Sequence, residues 1–491
     1  MGVSSTRQFI QPGERRGPPM SPLVKAWVCR LSGKSYSQGS AGVPRGHPWK
    51  KHGHVVCRCM ESNQQVGVFQ RGVRYSGARR EFPFQVAMAL QLAVMCILFS
   101  LARADSVALK DHASVLADST LSLGLNLYQT MVKDQNLRSE NILFSPVVLA
   151  SSLGVMTMGT KENTASQVKS VLNVDLQDDQ LHPAFSALLS EVSDEKARNT
   201  TWKMGSRLYG PTSVNLRPQF VESSRKLYNH EHAKVNFRDK RRALQSINEW
   251  ASQSTMGRVA EVTRELPGAD GALFINAMYF KPHWEESFHY KMVDKRGFMT
   301  SRTNTVSVLM MHRTGYYKFY EDNENRLNIL EMQLAHKHSS MVFIMPFHVE
   351  PLERVEKMLT KEQLNHWFSK LENRAVALSL PKINLDVSHE LQKHLQELGL
   401  AEAVDKTKAD FSGMTGKKDL HVSSVLHAAV LEWDTEGKPF NQDIYGQPEF
   451  KSPKLFYADH PFIFLVRDNK TNSILLIGRL VKPKGENHDE L

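Results

Sequence analysis

HAAVLEWDTEG at residues 427–437 and FYADHPFIFLVRDNKTNSILLIGRLVKP at residues 456–483 are the stretches on which the fold turns. The second holds two apolar, β-rich runs, 462–466 and 473–478, with 469–472 as the turn of a hairpin. Between the two stretches lies Lys438-Pro439-Phe440-Asn441-Gln442-Asp443. This segment is a poor candidate for a central β-strand. Such a strand donates every N–H and buries alternate side chains, and Pro439 has no N–H to donate. One orientation buries Lys438, Phe440 and Gln442; the other buries Pro439, Asn441 and Asp443. Each set contains a side chain that resists burial, and an unpaired buried polar group costs a few kcal/mol.

Upstream, the body mixes helices and strands. Leu121, Leu125, Tyr128 and Val132 recur at helical spacing within 118–132, and 244–255 and 363–371 are further predicted helices. Residues 272–280, 341–345 and 375–380 are apolar, β-rich runs. No internal repeat and no long linker interrupts residues 105–487, which predicts one α+β domain. The 491 residues and 41 % hydrophobic content suffice for a large core. The net charge of +11 is misleading, because residues 1–104 hold 15 of the 62 Lys+Arg and 3 of the 51 Asp+Glu. The remaining residues carry a net charge of −1, so the basic balance gives no reason to expect nucleic-acid binding by the body.

All four cysteines, Cys29, Cys57, Cys59 and Cys96, precede residue 105 and lack metal-ligand spacing. Residues 1–87, rich in Gly, Ser, Pro and Arg, read as a disordered extension that the mature protein need not retain. Residues 88–104 read as a signal peptide, with an apolar run ending in Ala102-Arg103-Ala104. The run is short for a membrane anchor, so no stable membrane insertion is expected after cleavage. At the other end, His488-Asp489-Glu490-Leu491 is a receptor-read retrieval signal of the endoplasmic reticulum. Asn199 and Asn469 begin glycosylation sequons, consistent with a lumenal location.

Several separated blocks resemble the serpin family. They are Asn141-Ile142-Leu143-Phe144-Ser145-Pro146, Ile247-Asn248-Glu249-Trp250, Asn276-Ala277-Met278-Tyr279-Phe280-Lys281-Pro282-His283-Trp284, Leu380-Pro381-Lys382 and the two stretches quoted first. Pro282 stands where the family pattern has Gly. The resemblance implies three β-sheets, about eight to nine helices and an exposed reactive-centre-like loop. In an inhibitory serpin, the segment after Gly437 is Thr or Ser followed by small residues and inserts into a sheet. Gly437, Lys438, Pro439 and Phe440 depart from that hinge, so a noninhibitory member is expected. Within the family, the loop, Arg238-Asp239-Lys240-Arg241, residues 452–460 and the C-terminal tetrapeptide are similar to the collagen-binding chaperones of the endoplasmic reticulum. The implied partners are the procollagen triple helix and a retrieval receptor; a monomer without cofactor or metal is expected. The alternatives are a lumenal serine-protease inhibitor and a hydrophobic-ligand carrier on the same scaffold.

Residues two apart on a strand share a face, so Leu455, Tyr457 and Asp459 line one face, with Phe456 and Ala458 on the other. Apolar contact, an amphipathic ring and one charge in a row suit a binding face. Asp459 is the candidate carboxylate for an Arg projecting from a collagen helix, the ring shielding the pair from water. The alternative is a structural Asp, since Ala-Asp-His-Pro-Phe is common in ordinary serpins. The resemblance implies Arg296 as an additional contact and His348 and Ser379 at the rim. Imidazole titrates near pH 6.5, and His460, His312, His348 and His283 are candidates for acid-triggered release. No catalytic constellation is found. His389 and His394 resemble a zinc-protease pair but are one residue too far apart to share a helix face.

Overall fold

A computed structural model describes residues 115–266, 270–439 and 452–487. The expected extension, signal peptide and retrieval tail, together with Phe440 and the loop that follows it, lie outside the described residues. Residues 115–133 form the first helix. Ile142–Phe144 is a short strand that runs directly into the helix Pro146–Gly159. Ser145 caps that helix by accepting from Val148 N–H, and Pro146 fits the first helical position, where its missing N–H is no loss. Every residue of the helix except Met158 is buried, so it is apolar on all sides rather than amphipathic.

Two hydrogen-bonded sheets hold the chain together. The five-stranded sheet has the order Ile383–Glu390, Val422–Trp433, Ala272–Lys281, Thr201–Pro211, Glu231–Val235. Its second and third strands pair parallel along nine registered positions. The ten-stranded sheet has the order Ile142–Phe144, Ile474–Leu480, Phe462–Asp468, Ser339–Pro346, Leu327–Gln333, Asn304–Asp322, Glu372–Pro381, Lys454–Tyr457. Val293–Ser301 and Glu486–Asn487 also pair with its 19-residue strand Asn304–Asp322. That long strand fuses two of the expected three sheets into one network. Residues 469–472 form the expected turn between antiparallel strands, with Asn472 at φ 61°.

The core lies where the two sheets meet. Trp433 of the smaller sheet packs edge-on against Phe343 and Phe464 of the larger, at centroid distances of 5.8 and 5.6 Å. Its indole N–H donates to the Pro381 carbonyl at 2.6 Å. Eleven α-helices occur among the described residues, more than expected. Glu195–Arg198, Glu353–Met358, Gln392–Glu397 and Ser412–Thr415 are too short to show a period in sequence. The run from His389 to His394 is a correction. His389 lies in the strand Ile383–Glu390 and His394 in the next helix, Gln392–Glu397, so the two do not share a helix.

Candidate functional site

The candidate face is built by pairing four strands. Lys454–Tyr457 runs parallel to Glu372–Pro381, with Leu455 opposite Ala377 and Tyr457 opposite Ser379. Glu372–Pro381 runs antiparallel to Asn304–Asp322, with Ser379 opposite His312. Val293–Ser301 pairs with the other edge of Asn304–Asp322 and carries Asp294 and Arg296. Tyr457, Ser379 and His312 therefore stand in one row. The expected alternation holds: Phe456 and Ala458 are fully buried, whereas Leu455 is 62 % exposed and Tyr457 and Asp459 are half-buried. The Asp459 backbone is fixed beyond the strand end, its carbonyl accepting from Met299 N–H at 2.7 Å.

The charges on this face are organised by Asp294, a residue that sequence reasoning missed. Its Oδ1 accepts from Arg296 Nε at 2.9 Å, and its Oδ2 accepts from Arg296 Nη2 at 2.7 Å. The same Oδ1 lies 2.9 Å from His312 Nε2, and His312 Nδ1 lies 2.8 Å from Ser379 Oγ. Neutral His312 satisfies both contacts by donating from Nε2 and accepting the Ser379 hydroxyl at Nδ1. The Arg296 fork, and secondly His312, hold the Asp294 carboxyl below the usual range, and Asp294 raises the guanidinium in return. Burial first, with help from the Asp459 and Asp294 charges, pushes the Tyr457 phenol up, so it stays neutral. The signal for Asp294 was its position two residues from Arg296 on a strand, where both share a face.

His460 is buried between two oxygens. Its Nδ1 lies 2.7 Å from Asp459 Oδ1 and its Nε2 lies 2.9 Å from the Pro346 carbonyl. A carbonyl and an ionised carboxylate are both acceptors, so the two contacts together need a proton on each ring nitrogen. His348 is exposed two residues beyond Pro346 on the segment that holds His460. Arg296, Ser379, His312 and His460 thus join the Leu455–Tyr457–Asp459 row. His283 does not; it lies 2.9 Å from the Asn199 carbonyl and 3.1 Å from Glu436 Oε2.

The sequons differ. Asn199 is exposed at a helix end and makes no side-chain hydrogen bond among the described residues. The Asn469 amide donates to Gln333 Oε1 at 2.8 Å and to the Lys337 carbonyl at 2.9 Å, and its oxygen accepts from Ser340 at 3.1 Å. The Asn469 side chain is therefore half-buried and tied to the body, whereas that of Asn199 is exposed.

The hinge is strapped down. Trp284 N–H donates to the Glu436 carbonyl at 3.0 Å, Ser287 N–H to Lys438 at 2.8 Å, and Phe288 N–H to Thr435 at 3.1 Å. Lys438 Nζ pairs with Glu285 at 2.8 Å. Gly437 is required by close approach, because a Cβ there would lie 2.7 Å from the Trp284 carbonyl oxygen.

The model of the family Serpin (serine protease inhibitor) matches residues 118–483. The chain is a serpin. Serpin H1 of Gallus gallus is 60 % identical over 399 residues, covering 81 % of this chain and 98 % of that protein. Leukocyte elastase inhibitor A of Rattus norvegicus is 32 % identical over 380 residues, covering 75 % of this serpin and 99 % of the relative. Among solved structures, a tumour suppressing serpin superposes with a TM-score of 0.67 at 28 % identity, covering 75 % of this chain and 100 % of its own. Uncleaved ovalbumin, at 23 % identity and a TM-score of 0.68, shares the fold and covers 75 % of this serpin and 100 % of its own chain. The chain is not an enzyme; it is similar over most of its length to Serpin H1 proteins. Among the described residues, no helix is long and apolar enough to cross a membrane.

Proposed function

We propose that this serpin is a noninhibitory chaperone that binds folded procollagen triple helices at Gly-X-Arg positions in the endoplasmic reticulum. The observation that carries the proposal is the half-buried Asp459 carboxylate at the end of the exposed Leu455–Tyr457 row. Arg296 stands on a neighbouring strand, oriented by Asp294. An Arg projecting from a triple helix would pair with Asp459, and the Tyr457 ring would reduce water access to the pair. The 60 % identity to a Serpin H1 across nearly its whole length supports the same assignment. Binding the folded helix and not separated chains stabilises the helix by mass action. Retrieval would follow from the HDEL tail, after release in a more acidic compartment.

The release step is assigned to His460. With one proton, spent on the Pro346 carbonyl, its Nδ1 lone pair faces Asp459 and favours an Asp459 that turns to a ligand. With two protons it becomes a cation bonded to Asp459, competing with the incoming guanidinium. Affinity therefore falls as pH drops from neutral to mildly acidic. Binding measured across that interval tests this, with His460→Gln as the variant that keeps a donor near Pro346 but cannot gain charge. A flat profile for the unaltered protein removes the release mechanism.

The hydrophobic-carrier alternative has less support. A cavity of about 830 Å³ exists, but its lining includes Arg138, Arg302, Lys482, Glu350 and Glu353. Binding there would be indifferent to Asp459.

A further inference from the structure

The last described strand, Glu486–Asn487, lies along the edge of Asn304–Asp322, with Glu486 opposite Ser307 and Asn487 opposite Val306. Gly485 permits that approach, because a Cβ there would collide with the Ser307 carbonyl oxygen. Thr305 and Asn304 come next along the edge. They pair with Met299 and Ser301 on one side and have no strand partner on the other among the described residues. Val306 and Asn304 line the cavity of about 830 Å³, whereas Thr305 between them does not. Of the four cations in the lining, Arg138, Lys482 and Arg479 are paired with Glu353, Glu140 and Glu356. The remaining carboxylate of the lining, Glu350, is paired with Arg354. The fourth cation, Arg302, is exposed on the turn before Asn304 and has no ion pair or side-chain hydrogen bond among the described residues. The cavity thus keeps one positive charge uncompensated.

We infer that this cavity receives the four residues that follow, His488-Asp489-Glu490-Leu491, so that the retrieval signal exchanges between a form docked on the body and a free form. The consequence for retrieval rests on reading these residues as a retrieval signal; the docking itself does not. Continued pairing sets His488 opposite Thr305 and Asp489 opposite Asn304, and the last two residues pass the turn at Arg302 and Thr303. Four extended residues cover about 13 Å at ~3.3 Å each, which equals the span from Val306 to Arg302. Directly opposed residues of an antiparallel pair share a face, as do residues two apart on one strand. Asp489 and Leu491 therefore fall on the side of Val306 and Asn304, the cavity side. Arg302 supplies a partner for the carboxylate, and Val349, Pro351 and Leu352 supply apolar contact for the leucine. A retrieval receptor reads the free tetrapeptide, so docking competes with receptor binding and lowers its apparent affinity by the fraction docked.

The test follows backbone hydrogen exchange of residues 300–306 in the full chain, in a chain ending at Asn487 and in Arg302→Ala, each checked by thermal melting. The tail slows exchange there at least about threefold relative to the shortened chain, and Arg302→Ala gives up most of that protection. In parallel, the detergent-solubilised retrieval receptor binds Arg302→Ala about two- to fivefold more tightly than the unaltered chain, and the shortened chain not at all. Exchange that is the same with and without the tail overturns the docking, and receptor binding by the unaltered chain then leaves the retrieval reading standing. Tail-dependent protection that is unchanged in Arg302→Ala means strand pairing alone and overturns the cavity contact. Protection that appears only as protein concentration rises assigns the cavity to the tail of a second copy and overturns docking within one chain. Tail-dependent protection in a chain that the receptor ignores supports the docked contact but overturns the retrieval reading, and the masking falls with it.

Discussion

At the scale of single residues, the site is a set of polar groups that hold one another while leaving one carboxylate half-free. Asp294 makes Arg296 rigid and fixes His312 through the same oxygen. Asp294→Ala should therefore cost affinity without touching collagen, by releasing Arg296. The expected loss is about three- to tenfold. Restoring half of it with Asp294→Asn, which can still accept from Arg296, separates positioning from charge. Equal losses in both variants would contradict the positioning role. Leu455 and Tyr457 were legible in the sequence through strand alternation, whereas Asp459 lies beyond the strand end at Tyr457 and is set by its contact with Met299 N–H. Asp294 was not legible, because its role depends on a strand pairing between residues far apart in the chain. Likewise Asn469 is recognisable as a sequon, but the three hydrogen bonds that occupy its amide come from residues more than a hundred positions upstream.

At the scale of elements, the sequence argument against loop insertion acquires a second cause. A strand inserted at the seam between Val422–Trp433 and Ala272–Lys281 would have to separate two strands that are directly paired. It would also have to peel residues 435–438 from the 284–288 segment, losing four backbone hydrogen bonds and the Lys438–Glu285 ion pair. The composition of the loop was readable in advance; the strap was not, since Trp284 and Glu285 are about 150 residues away in the chain. Proteolytic cleavage within residues 440–451 should leave the melting temperature within a few degrees of the intact protein. A rise of tens of degrees on cleavage would mean that insertion occurs.

At the scale of the whole molecule, stability should depend on pH through buried histidines. His427 and His389 accept the Ser145 and Leu143 N–H groups at 3.1 and 3.4 Å, which requires the neutral ring. Burial lowers them to about 3 and about 4, and lowers His230 and His232 to about 3 and about 4. Each is lower in the folded state than in the unfolded chain, where it lies near 6.5. The unfolded state therefore binds more protons, and stability present above pH 6.5 is lost as pH falls toward 4. Each group contributes up to about 1.4 kcal/mol per pH unit across that interval. Thermal melting between pH 7.5 and 5 should show a falling midpoint, and His427→Gln should flatten the slope. A pH-independent midpoint would contradict it. A second structural cost is predictable at the buried pair of Glu356 and Arg479, 2.5 Å apart, with Tyr128 donating to the same carboxylate at 3.0 Å. Glu356→Ala should destabilise by about 3–5 kcal/mol, because it strands a buried guanidinium. Equilibrium denaturation measures it, and a loss under 1 kcal/mol would refute it. The fold class was readable because five blocks span the body in order. The fused ten-stranded sheet was not, since only pairing along all 19 residues of Asn304–Asp322 produces it.

The central claim is that Asp459 captures an Arg on a folded collagen helix. The most direct measurement compares the full chain and Asp459→Asn for binding to a triple-helical peptide with one Gly-X-Arg, and to the same peptide melted. The prediction is binding to the folded peptide, at least about a hundredfold loss in the variant, and none to the melted chains. Equal binding by the variant, or equal binding to the melted peptide, would contradict the claim.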